Sequence, residues 1–144
     1  MKFNINNFKG KVVKIKVKDT AIKGKNIYKN IKGHENEINE ILIDLPEEKT
    51  GLKRLMVCMN MLYSGKVNGE FKMMRGHFHD AEEVYLVLKG KGNIIINNKK
   101  ISVKKGDLLT IPRNVWHRTV NTGKEKLVFL TIFQRHKVSH LKSY

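Results

Sequence analysis

Apolar and polar residues alternate along much of the chain with a period of two, which is the period of a β-strand. The first case is 11–18, where Val13, Ile15 and Val17 share one face between lysines. Further strands are predicted at 38–43, 55–63, 70–74, 83–89, 92–96, 100–104, 108–111, 116–121 and 126–134. No stretch carries a convincing helical periodicity.

Turn-forming residues separate these strands. Asn97-Asn98 follows an isoleucine run and predicts a hairpin turn, and Gly106-Asp107 marks the next turn. Residues 46–51 read as a turn-rich connection, and the polar stretch 19–37 reads as loop. Many short strands with regular turns predict an all-β sandwich or barrel.

A length of 144 residues predicts a single domain that can bury a core without disulfides. We see no linker, repeat or low-complexity tract. We therefore divide the chain into an N-terminal strand and loop extension at 1–37, a barrel at about 38–134 and a tail at 135–144.

The predicted location is the cytoplasm. The one cysteine, Cys58, cannot form a disulfide within the chain, and the first residues carry no signal-peptide pattern. No apolar run approaches the roughly 20 residues of a membrane-spanning helix. We accordingly expect no membrane partner.

The formal net charge of +16 allows two interpretations, a polyanionic partner or a bias in residue usage. Lysine supplies 24 of the 29 basic residues and is spread along the chain, whereas nucleic-acid sites favour arginine. We therefore favour the bias and expect no nucleic-acid partner. A basic field would still attract a small anionic substrate.

Three of the six histidines and one glutamate form the main candidate for chemistry. His77 and His79 are two residues apart, so that in a strand both imidazoles point to one face. Glu83 begins the next strand, with Tyr85 on its face, and His117 lies on a separate strand. The alternation of side chains along these strands allows the three histidines and Glu83 to converge inside a barrel.

Three imidazoles and one carboxylate suit a divalent transition metal among Fe, Mn, Ni, Zn, Co and Cu. Mg and Ca prefer oxygen ligands, and a closed structural zinc site usually carries thiolates. Four protein ligands on a six-coordinate ion would leave two positions open to water or substrate.

The spacing of these residues resembles the two-part signature of the cupin superfamily over at least residues 71–121. The two parts are His77-x-His79-(x)3-Glu83-(x)6-Gly90 and Gly106-(x)5-Pro112-(x)4-His117-(x)3-Asn121. Phe71 and Asn114 stand where the signature usually has glycine, and asparagine tolerates a left-handed turn. The resemblance implies a single-domain, double-stranded β-helix (jelly-roll) cupin barrel.

Within the cupins, residues from about 40 to 133 resemble the archaeal-type glucose-6-phosphate isomerases. The similar segments are Leu62-Tyr63-Ser64-Gly65-Lys66-Val67, Gly76-His77-Phe78-His79, Glu83-Val84-Tyr85, Leu88-Lys89-Gly90-Lys91-Gly92, Trp116-His117-Arg118-Thr119-Val120-Asn121, Gly123 and Leu127-Val128-Phe129-Leu130. Tyr85, Gly92 and the run from His117 to Asn121 make this resemblance more specific, because we interpret them as residues that a cupin barrel alone does not require.

The resemblance implies a site for this chain. His77, His79, Glu83 and His117 would hold one divalent metal (Fe, Mn, Ni or Zn), Glu83 and Tyr85 would be catalytic, and Tyr85 would also line the sugar site. The family's phosphate-binding threonines have no counterpart at 59–61 and 71–75, where Asn60 and Arg75 could substitute. We place Thr119 with them as substrate-binding. His140 and Tyr144 correspond to a family histidine and tyrosine or are simply a frayed terminus.

The implied reaction interconverts glucose 6-phosphate and fructose 6-phosphate, either through a carboxylate base and an enediol or by a hydride shift. Glu83 would serve as ligand, as base, or as both. The alternatives are a non-catalytic sugar- or small-anion-binding cupin and a metal-dependent cupin oxygenase. The expected partners are a small phosphorylated sugar and a second copy of the chain, since cupins often pair through their outer sheets.

Overall fold

The computed structural model of the protein describes residues 40–44, 52–134 and 142–143. The predicted strand at 11–18, the loop at 19–37 and the connection at 46–51 lie outside these residues. The same holds for His140 and Tyr144. Within the described residues, no helix has the length and apolarity that a membrane crossing requires.

The described residues form strands joined by short turns, as the alternation predicted. Their bounds are β1 Glu40–Asp44, β2 Leu55–Leu62, β3 Lys66–Val67, β4 Glu70–Phe71, β5 His77–Phe78, β6 Glu83–Lys89, β7 Lys91–Ile96, β8 Lys99–Lys104, β9 Leu108–Ile111, β10 His117–Val120, β11 Leu127–Gln134 and β12 Lys142–Ser143.

Two five-stranded antiparallel sheets make up the barrel. One has the strand order β1-β2-β11-β6-β9, and the other has the order β12-β5-β10-β7-β8. The apolar core lies between them and draws on both sheets; its buried members are Leu62, Tyr85, Val87, Ile94, Val103, Ile111, Leu127 and Phe129. This architecture confirms the predicted all-β jelly-roll.

Strand β6 shows why the period of two positions the site. Glu83, Tyr85 and Val87 are buried on its inner face, whereas Val84 and Leu88 are exposed on its outer face. Because alternate side chains point to opposite faces, the same phase that builds the core also turns a carboxylate inward. The sequence prediction for this strand is confirmed over its whole length.

The two predicted turns are present. Asn97-Asn98 joins β7 to β8 as a two-residue loop between the paired residues Ile96 and Lys99, and Asn97 has a φ of 50°. At the next turn the Asp107 carboxylate accepts a hydrogen bond from the Lys104 backbone N–H at 2.8 Å.

The predicted strand at 70–74 is wrong in its length. Only Glu70–Phe71 is a strand, and it forms a hairpin with Lys66–Val67. The loop between them is Asn68-Gly69, with φ of 52° and 82°, as a type I′ turn requires. Asn-Gly is a strong sequence signal for a hairpin, and the prediction from the period-two pattern did not use it.

The interpretation of Gly92 as more than a cupin barrel requires is also wrong, because the barrel itself requires this glycine. A Cβ atom at Gly92 would lie 2.3 Å from the Val120 backbone oxygen, so no side chain fits at this approach of backbone to backbone. Asn121 is structural in the same way. Its fully buried amide donates to the carbonyls of Leu62 and Glu125, and its oxygen accepts from the Gly123 N–H.

Candidate metal centre

The site is built where the two sheets face each other. His77 on β5 and His117 on β10 are directly paired in the antiparallel register, and His79 follows β5 closely. Glu83 comes from β6 in the opposite sheet. The His77 and His117 rings meet edge to face with centroids 4.4 Å apart, and the His79 ring lies 5.3 Å from His117.

The three histidines present a compact set of donor atoms. One ring nitrogen from each of His77, His79 and His117 lies within 4.8 Å of the other two. His79 and His117 are buried and His77 is half-buried, so the cluster is largely withdrawn from water. These three residues could therefore hold one metal ion.

Each imidazole is oriented by a nearby backbone carbonyl. The Nδ1–H of His77 donates to Arg75 at 3.0 Å, that of His79 to Ala81 at 3.0 Å, and that of His117 to Val115 at 2.9 Å. Because a carbonyl only accepts, the proton on each Nδ1 is fixed and Nε2 is the nitrogen left to face the cluster. Hydrogen bonds of this kind commonly fix the tautomer of a metal-binding histidine.

Glu83 adds a carboxylate to the histidines. Its Oε2 atom lies 3.1 Å from His79 Nε2 and 3.2 Å from His117 Nε2. Burial alone would raise the pKa of Glu83, but the hydrogen bonds from His117 and His79 outweigh it and lower that pKa to about 2. Glu83 is therefore an anion at neutral pH. Its service as a fourth metal ligand stays a prediction.

The protonation of the histidines follows from their surroundings. Burial and the neighbouring His117 lower the pKa of His77 to about 4, which leaves its imidazole neutral at pH 7. Burial opposes charge on His79 as well, but its hydrogen bond to Glu83 gives it a raised pKa. A metal would displace that proton, since a coordinating imidazole nitrogen must be free of it.

Imidazole nitrogens with one carboxylate oxygen fit a divalent transition metal in their donor chemistry. No cysteine stands in the cluster, and one oxygen is too few for a Mg or Ca site. The three predicted histidines therefore occur as one cluster, with Glu83 in contact with two of them, and this donor chemistry leaves the choice among Fe, Mn, Ni and Zn open.

Tyr85 and Thr119 form a second polar pair inside the barrel. The Tyr85 hydroxyl and Thr119 Oγ1 lie 2.9 Å apart, and the Tyr85 ring stacks on Phe129 with centroids 4.4 Å apart. Burial raises the pKa of Tyr85 well above 10. Tyr85 is therefore a neutral hydroxyl that can donate or accept a hydrogen bond, and its catalytic role stays a prediction.

Asn60 and Arg75, the two residues predicted to contact the substrate phosphate, lie in different parts of the barrel. Asn60 is buried on β2, paired in register with Phe129. Arg75 contributes its backbone carbonyl, which accepts the His77 Nδ1–H. The predicted contacts of both side chains with phosphate stay predictions.

Phe133 is a residue of the site that the sequence reasoning missed. Its ring stacks on His79 with centroids 5.7 Å apart and an interplanar angle of 24°. The signal was present, because Phe133 shares the inward phase of Phe129 on β11. Only the pairing of β11 with β6, which sets Phe133 beside Glu83, shows that this phase leads to the metal site.

Comparison with known proteins gives the class of the protein. Residues 68–133 match the family model for the cupin domain. A sugar phosphate isomerase of the cupin superfamily from Silicibacter pomeroyi has a similar structure, with a TM-score of 0.68 and 15% identity over 91% of each chain. A cupin protein from Bacteroides fragilis has a TM-score of 0.54 and 29% identity, covering 71% of this chain and 80% of that one. The matched residues thus form a cupin domain, and the histidine cluster lies within it.

Its similar relatives include archaeal glucose-6-phosphate isomerases. The enzyme of Pyrococcus furiosus is 42% identical over 95 residues, covering 60% of this chain and 49% of that protein. The enzyme of Thermococcus onnurineus is 35% identical over 125 residues, covering 72% and 65%. The chain thus resembles this branch of the cupins while spanning about half of the length of the Pyrococcus furiosus protein.

Proposed function

We propose that the protein is a metal-dependent isomerase that interconverts glucose 6-phosphate and fructose 6-phosphate. The observation that carries the proposal is the cluster of three histidines with Glu83, buried in a cupin barrel whose sequence resembles that of the archaeal isomerases. The net charge of +16 supports an anionic substrate.

In this proposal His77, His79, His117 and Glu83 hold one divalent metal. The bound ion would act as a Lewis acid on oxygen atoms of the open-chain sugar. The barrel supplies the rest of the environment, because the backbone carbonyls fix the imidazoles and the Phe133 ring covers one face of His79.

Glu83 is the base in this proposal. As an anion at neutral pH, Glu83 would accept the proton from C2 of open-chain glucose 6-phosphate. Loss of that proton with protonation of O1 gives an enediol between C1 and C2. Return of the proton to C1, with loss of the O2 proton, gives fructose 6-phosphate. A hydride shift is the other route. Exchange of the C2 hydrogen with solvent during turnover would indicate the enediol, and its full retention would indicate the hydride shift.

The remaining polar residues bind the substrate in this proposal. Tyr85, neutral and held by Thr119, would donate a hydrogen bond to a sugar oxygen. Asn60 and Arg75 would contact the phosphate. We also propose that the protein works as a homodimer, for which light scattering is the test.

The experiment follows fructose 6-phosphate conversion with a coupled glucose-6-phosphate dehydrogenase. The protein is stripped of metal and reloaded separately with Fe, Mn, Ni or Zn, and the metal content of each sample is measured. We expect turnover with at least one metal and its loss in Glu83→Gln, whose amide keeps the shape but cannot take the proton. Full occupancy without turnover for every metal would contradict the proposal.

A sugar- or anion-binding cupin without catalysis is the second candidate. The observation that favours it is the lack of threonine at 59–61 and 71–75, where the family's phosphate ligands stand. Binding of fructose 6-phosphate by the metal-loaded protein without conversion would establish this alternative.

A further inference from the structure

Two phenylalanines on the inner face of β11 lie against rings of the candidate site. Phe129 stacks on Tyr85, and Phe133, four residues further along the strand, stacks on His79. Phe129 is fully buried in the apolar core, whereas Phe133 is half-buried. Phe129 therefore belongs to the core, and Phe133 borders the candidate metal centre.

Phe133 adjoins two of the predicted ligands. Its ring lies nearly parallel to the His79 ring, with an interplanar angle of 24° and centroids 5.7 Å apart. In the antiparallel register of β11 and β6 it stands opposite Glu83, and the side chains of opposite residues share one face of a sheet with Cβ atoms about 4.5–5.5 Å apart. Glu83 Oε2 in turn lies 3.1 Å from His79 Nε2. Phe133 thus packs beside both members of an imidazole–carboxylate contact.

The contacts of the two His79 nitrogens and the contact with Phe133 restrain the imidazole in different directions. Nδ1 donates to the Ala81 carbonyl and Nε2 contacts Glu83, and both contacts act mainly within the plane of the ring. Phe133 lies on the face of the ring and therefore opposes tilting out of that plane. Because the Nε2 lone pair lies in the ring plane, a tilt would turn it away from the centre of the cluster.

We propose that Phe133 is a positioning residue of the metal centre, which holds the His79 ring in the orientation that directs Nε2 into the cluster. It acts through His79 and does not itself bind the ion. This inference rests on the proposed function for the presence of a metal, and it is independent of the sugar and of turnover. It gives β11, which carries none of the four predicted ligands, a part in metal retention.

The test measures binding of Co(II), whose visible absorption depends on the geometry of its ligands. Phe133→Leu removes the ring and keeps an apolar side chain, whereas Phe133→Tyr keeps the ring. We expect Phe133→Leu to raise the Kd for Co(II), measured by chelator competition, about two- to tenfold and to shift the visible band. Phe133→Tyr should match the wild type in both measurements.

Phe71→Leu is the matched control. Phe71 is also half-buried, but it lies on the β3–β4 hairpin, where the Lys66 ammonium stands 4.6 Å from the centroid of its ring. The same substitution at this position should leave the Kd and the visible band unchanged. Far-UV circular dichroism checks that each variant is folded. If Phe133→Leu does not fold, Phe133→Met takes its place with the same expected loss, since methionine fills the space without a ring.

An unchanged Kd and an unchanged cobalt band in the variant without the ring would overturn the proposal. Equal losses in Phe133→Leu and Phe133→Tyr would also overturn it, because the ring would then not be the cause. A wild type that binds no Co(II) would overturn it together with the metal site of the proposed function. The expected pattern in a protein that does not convert fructose 6-phosphate would support the role of Phe133 and contradict the isomerase alone.

Discussion

Each imidazole of the candidate metal centre is fixed by a carbonyl that lies two residues away in sequence. Arg75 and Val115 precede their histidines by two positions, and Ala81 follows His79 by two. The backbone that carries the ligands therefore also sets their tautomers, and the cluster is preorganised by local structure. Loss of one imidazole should consequently affect the metal far more than the fold.

The variant His117→Ala tests this prediction. Removal of groups that merely support a ligand weakens metal affinity about 10–100-fold, so loss of a ligand should cost at least that much. We expect metal content below one per chain by mass spectrometry, with a normal far-UV circular dichroism spectrum. A His117→Ala protein that keeps full occupancy would contradict this ligand.

Tyr85 and Thr119 should act as a coupled pair. Tyr85→Phe leaves the Thr119 hydroxyl buried without its partner, and Thr119→Val does the same to Tyr85, so each should lower the free energy of unfolding by about 1–3 kcal/mol. The double variant should cost less than the sum of the two, because it leaves neither group unpaired. Urea denaturation measures this coupling, and strictly additive values would show that the hydrogen bond does not form.

The sequence pattern predicts much of the site at this scale and leaves part of it unseen. The His77-x-His79 spacing and the phase of Glu83 are local, so strand geometry alone directs them inward. Phe133 belongs to a distant strand, and only the register of β11 against β6 brings it beside Glu83. That register depends on the whole sheet, which no single segment encodes.

At the scale of elements, the long strands were predictable because each is an apolar run or an alternating segment of six to eight residues. Strands β3, β4, β5 and β12 have two residues each, too few to show a period. The left-handed turn at Asn114 was anticipated, and its φ of 59° confirms it. Its N–H donates to the His79 carbonyl at 2.9 Å, so this turn also fixes the backbone of a candidate ligand.

Gly92 should be the most sensitive position of strand β7. Gly92→Ala would set its Cβ 2.3 Å from the Val120 oxygen, which is backbone and cannot rotate away. We expect a loss of about 3 kcal/mol or more in the free energy of unfolding, at the upper end for a core substitution. Thermal denaturation measures it, with Ser102→Ala on the neighbouring β8 as an exposed control. An unchanged melting temperature would show that β7 and β10 are not this close.

At the scale of the whole molecule, the charge should act on association rather than on chemistry. A net charge of +16 raises the local concentration of an anionic substrate, and salt screens this attraction beyond about 10 Å at 0.1 M. We predict that KM for fructose 6-phosphate rises several-fold between about 0.02 and 0.5 M salt while kcat stays nearly constant. A KM independent of salt would show that the basic field plays no part in binding.

The central claim is that one metal ion binds among the three histidines and Glu83. An anomalous difference map from a crystal of the metal-loaded protein, recorded at the absorption edge of that metal, tests it most directly. We expect a single strong peak about 2.0–2.2 Å from the Nε2 atoms of His77, His79 and His117, with a Glu83 oxygen at a similar distance. The absence of a peak within this cluster, or a peak bound elsewhere by other residues, would contradict it.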